Sequence, residues 1–108
     1  MKGYKVMVYG PETTLQEILR GVAHLRLGQL GNYDSWSIIS PVTESFRPLE
    51  GSQPTHGKAG ELQQVASCRL ELQCKENELG KLLDQIRELH PYETPAIEVL
   101  ELILPAFD

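Results

Sequence analysis

Two strand–helix patterns lying 64 positions apart, with a long glycine-rich stretch between them, predict an α+β domain of the ferredoxin-like type. The expected form is βαβ-βαβ: an antiparallel four-stranded sheet, two helices on one face, and a long inserted loop with a short edge strand. Three observations carry this. Shifting the chain by 64 positions lays Val6 on Leu70, Val8 on Leu72, Leu15 on Leu79, Ile18 on Leu82, Leu19 on Leu83 and Val22 on Ile86. Each of these apolar positions of the first unit thus meets an apolar position of the second. Cys68, Leu70, Leu72 and Cys74 alternate with Arg69, Glu71 and Gln73, the period of a half-buried antiparallel strand. The length, 108 residues, suits one domain with its own core, residues 1–108.

The elements follow in order. Tyr4 to Tyr9 alternates and is rich in strand formers. Gly10-Pro11 breaks it, and Pro11 or Glu12 opens a helix with Thr14-Leu15-Gln16-Glu17 as its capping box. Leu15, Ile18, Leu19, Val22 and Leu25 or Arg26 recur at helical spacing and make its apolar stripe. Gly28 and Gly31 stop the helix. Asp34 to Ser40 reads as a strand with Trp36 and Ile38 inward, ended or kinked by Pro41. Ser45 to Leu49 reads as the short edge strand, and Gly51 to Gly60 as an exposed loop. Leu62 to Cys74 is a long strand. Lys75 to Leu89 is a helix with Leu79, Leu82, Leu83, Ile86 and Leu89 on one side. Pro91 ends it, because a residue before proline leaves the helical region. Glu93 to Leu104 is the last strand.

In that strand Ile97 and Val99 face inward, while Leu100, Leu102 and Leu104 fall on the opposite parity. Apolar groups on both faces predict a covered second face, hence a homo-oligomer.

The formal net charge is −5, and no cluster of Lys and Arg exists. Both facts argue against nucleic acid and against an anionic membrane surface. The apolar runs are too short for a membrane span, and the N-terminus has no signal-peptide core, so a cytoplasmic protein is expected. Cys68 and Cys74 fall on one strand, about 20 Å apart at about 3.3 Å per residue. They cannot bond to each other and read as small apolar core residues.

Gly51-Ser52-Gln53-Pro54-Thr55-His56-Gly57-Lys58-Ala59 resembles a phosphate-binding loop but fails as one. Five residues separate its glycines where four are needed, Ala59 stands at the magnesium-binding hydroxyl position, and a strand follows. No Asp, Glu or His spacing marks a metal site, and no elbow marks a catalytic serine. The candidate ligand groups are Arg47, Glu50, Thr55 and His56 in the insertion, and His90, Tyr92 and Glu93 between Leu89 and Pro95. Arg47 suits an anion, His56 with Glu50 a divalent metal, and Tyr92 stacking. Prolines on both sides of Tyr92 also suit a rigid helix-to-strand turn.

Gly31-Asn32-Tyr33, Phe46-Arg47-Pro48-Leu49-Glu50-Gly51, Pro54-Thr55-x-Gly57 and His90-Pro91-Tyr92-Glu93-x-Pro95-Ala96 together resemble the YqfO family of the NIF-three-like group. The likeness is to the domain that interrupts the larger members, and it runs from about Lys5 to Leu102. It implies a CutA-like or PII-like fold, a ferredoxin-like relative, and a trimer in preference to a dimer. Two departures stand out: Val42-Thr43-Glu44-Ser45 replaces a frequent Gly-x-Gly, and Thr94 replaces a second Glu. The larger proteins resemble dinuclear metal enzymes often labelled as GTP cyclohydrolases. Their metal ligands lie in flanking halves outside this stretch, so that activity is not carried over.

The leading expectation is a non-enzymatic small-molecule or metal-binding, or regulatory, module, oligomeric, with clefts at subunit edges. The alternatives are a small hydrolase using His56 or His90 with a glutamate, and a docking cap for a separate NIF-three-like metalloprotein.

Overall fold

The computed structural model describes residues 2–53, 57–92 and 94–104. Thr55, His56 and Glu93 lie outside the described residues. Strands β1 (Lys2–Gly10), β2 (Ser37–Phe46), β3 (Gln63–Lys75) and β4 (Ile97–Ile103) form one sheet in the order β2-β3-β1-β4. Every neighbouring pair is antiparallel. Helix α1 (Glu12–Val22) connects β1 to β2, and α2 (Leu79–Leu89) connects β3 to β4. This is the α+β, ferredoxin-like arrangement the repeat predicts.

Register shows why both units share one core. Val6 pairs with Leu72 and Val8 with Leu70 across β1 and β3. These four side chains therefore point to one face and meet Leu15, Ile18 and Val22 of α1 and Leu82 and Ile86 of α2. All nine are shut off from solvent, each contributing about 1.5–3 kcal/mol of transfer free energy. Leu19, Leu79 and Leu83 pack around them, so the overlaid stripes are the core. Leu89, at the exposed end of its stripe, sits over Gly21, where a Cβ would collide with it. The missing side chain lets α1 and α2 approach.

Several local expectations are corrected. Helix α1 has no capping box: Pro11 is its N-cap, no side chain caps it, and Thr14 lies inside the first turn. Its end comes at Val22, before the glycines. A 3-10 turn, Ala23–Leu25, follows and is closed by Arg26 at φ 49°. Strand β2 starts at Ser37 and runs through Pro41 to Phe46. Proline is tolerated because β2 is the sheet edge, where one side of the strand donates no ladder bond. Ser45 and Phe46 close this strand and do not open a separate one. Trp36 and Ile38 do not face inward; they are 55% and 39% exposed. Ile39 pairs with Leu70 and takes the core position, so the face of β2 is offset by one residue. The second helix is preceded by its own 3-10 turn, Glu76–Glu78. The last strand begins at Ile97 and not at Glu93.

The helix-free face mixes charge and apolar groups. At its centre Lys5 Nζ lies 3.2 Å from Glu71 Oε1, and Arg69 Nε lies 3.5 Å from Glu71 Oε2. Tyr9 donates a 2.6 Å hydrogen bond to Glu98 Oε1, which with burial raises its phenol pKa. By register Leu100 and Leu102 lie on this face beside Lys5 and Gly3, and Ile38 beside Glu71. Leu100 is 52% exposed. The expectation of apolar groups on both faces of β4 holds.

Two measurements test this packing. A Cβ on Gly3 would meet the Leu104 side chain and lie 2.7 Å from the Cys74 carbonyl oxygen, which backbone geometry holds in place. Gly3→Ala is expected to lower stability by about 1–3 kcal/mol. Gly80, in helical conformation with nothing within 4 Å of a Cβ, should gain about 0.5–1 kcal/mol as alanine. Chemical denaturation of the two variants checks both signs.

Cys74 is buried in the core, and burial pushes its thiol up to about 11 from an ordinary 9.0. Between these values the folded chain holds a proton the unfolded chain has released. This contribution is complete below about pH 9 and is lost as pH rises toward about 11. The urea midpoint of the native protein should therefore fall more steeply across that window than that of Cys74→Ala. Tyrosines and lysines titrating there are common to both proteins.

Candidate functional site

The predicted ligand residues divide between two places. Strand β1 ends at Gly10, opposite Cys68 of β3, and Pro41 of β2 is opposite the same cysteine. Beyond that row β2 and β3 continue alone as a two-stranded ribbon of five further pairs, Val42↔Ser67 to Phe46↔Gln63. At about 3.3 Å per residue the ribbon projects about 17 Å past the sheet. Arg47 and Glu50 follow directly, both exposed. Gly60 N–H donates to the Pro48 carbonyl at 2.6 Å and Ser52 N–H to the Leu49 carbonyl at 3.0 Å, closing the turn at the ribbon end. Gly51 and Gly57, at φ 89° and 78°, supply the left-handed turns this path needs.

His90 and Tyr92 lie at the sheet end of the ribbon, behind α2. His90 is 6% exposed. Its Nε2 donates to the Tyr9 carbonyl at 2.7 Å, and its Nδ1 accepts the Tyr92 N–H at 3.3 Å. The two contacts select the Nε2–H tautomer. Gly10 makes room for the ring: a Cβ there would sit 3.2 Å from Nε2. Both ring nitrogens of His90 are thus engaged by backbone, and the residue locks the end of α2 to the end of β1. Tyr92 lies against it, ring centroids 4.7 Å apart and tilted by 59°. Tyr92 is half-buried, and burial, followed by the Glu44 charge, raises its phenol pKa. Within one copy Arg47 and Glu50 therefore stand at the far end of the ribbon from the row that His90 closes.

Among the described residues no group of three or more His, Cys, Asp or Glu could hold a metal ion. His24 is exposed, with Nδ1 2.9 Å from the Gly21 carbonyl of its own turn. No helix of the described residues is long and apolar enough to cross a membrane.

Sequence reasoning missed two polar arrangements. Glu78 Oε1 accepts the Lys75 N–H at 2.7 Å and the Gly28 N–H at 3.1 Å, stapling the loop after α1 to the start of the second helical segment. The other is the Lys5–Glu71–Arg69 array on the helix-free face, with the hydroxyls of Ser40 and Ser67 shielded from solvent without hydrogen-bond partners. Ser40 stands opposite Arg69. Alternation placed Arg69 and Glu71 outward, but only register brings Lys5 to them.

No family model matches the chain. A protein of Halalkalibacterium halodurans called GTP cyclohydrolase 1 type 2 homolog is 31% identical over 99 residues, which are 92% of this chain and 27% of that protein. The protein of the same name in Mycobacterium tuberculosis is 29% identical over 103 residues, 94% of this chain and 27% of that protein. The chain thus spans about a quarter of the length of the curated relatives it matches. Among solved structures, a Bacillus cereus protein related to NIF3 superposes with a TM-score of 0.83 at 27% identity, over 98% of this chain and 27% of that one. CutA from Synechococcus elongatus superposes with a TM-score of 0.70 at 16% identity, over 94% of this chain and 78% of that one. The latter likeness establishes the fold alone. The chain is a homologue of one segment of the YqfO and NIF-three-like proteins, and that segment has the CutA-like, ferredoxin-like fold.

Proposed function

We propose that the chain is a non-enzymatic ligand-binding or regulatory module that works as a homo-oligomer. Its clefts form where the ribbon end of one copy meets the sheet end of the next. The observation that carries this reading is the separation of the ligand groups. Arg47 and Glu50 stand about 17 Å along the ribbon from the row that His90 closes, so a complete cleft needs a second copy. The helix-free face supports the same assembly: it holds exposed Leu100 and shielded hydroxyls without hydrogen-bond partners at Ser40 and Ser67, which a covering subunit would satisfy. The CutA-like resemblance makes a trimer the expected state. We place the module in the cytoplasm.

In this cleft Arg47 offers a forked donor to an anionic group. Glu50 with His56 would hold a divalent metal, Thr55 and Glu93 would add oxygen ligands, and Tyr92 would present its ring edge beside His90. The name of one structural neighbour, the periplasmic divalent cation tolerance protein CutA from Archaeoglobus fulgidus, motivates the choice of ion to test. A hydrolase built on His90 gains no support from geometry, since backbone groups occupy both of its ring nitrogens.

The test is sedimentation equilibrium together with metal analysis of untagged protein. We expect a multimer at micromolar concentration and a thermal shift on adding divalent ions that Glu50→Gln abolishes. A strict monomer would overturn the assembly. A multimer with neither bound metal nor a thermal shift would overturn the ion.

A further inference from the structure

We draw no further inference here: the strongest candidate, the outer edge of β4 with its exposed Val99, Leu100 and Ile103, is an unpartnered apolar strand, and nothing in the structure shows what covers it.

Discussion

Everything in this fold depends on a sheet whose helices cover one face only. The covered face is solved by hydrocarbon: Val6, Val8, Leu70 and Leu72 under the paired stripes of α1 and α2. The other face has no layer among the described residues. It is occupied at its centre by Lys5, Glu71 and Arg69 and by the Tyr9–Glu98 hydrogen bond. Charges set on a half-shielded surface stabilise little by themselves. They do prevent indiscriminate sticking of a broad apolar sheet and fix which surfaces can lie against it. One-sided cover therefore gives the two helices one shared core while leaving the sheet a second face that discriminates.

The core was legible because periodicity is a local signal. The alternation from Cys68 to Cys74 and the stripes of α1 and α2 needed no knowledge of neighbours, and each appears as written. Strand β2 was less legible for a physical reason. Its inward face is set by pairing with β3, where Ile39 meets Leu70, and Trp36 lies outside the strand after the left-handed Ser35. A tryptophan beside Ile38 suggests burial by composition, but composition does not encode register. Pro41 misled in the same way, since its tolerance depends on β2 being an edge.

Of the candidate site, the sequence identified which residues lie near turns and prolines, but not their separation. Nothing in the spacing of Phe46 and Arg47 tells that the ribbon outruns β1 by five pairs. His90 could be read as ligand or as wedge. Its role follows from Gly10, eighty positions away in the chain and adjacent in space, whose missing side chain admits the ring. Glu78 escaped notice because a glutamate beside a helix start is common, and its second partner, Gly28, comes from the other half of the chain.

The ribbon has an energetic consequence distinct from its geometry. Four strands and two helices support each row from Val6 to Val8, whereas the rows from Val42 to Phe46 rest on a single partner strand. Two strands without a layer beneath them are marginal in water. Their backbone bonds open at a free energy below that of global unfolding, so amide exchange grades along β3 from protected near Leu72 to rapid near Gln64. One long strand thus spans two regimes, a cooperative block and an arm able to remodel without disturbing the core.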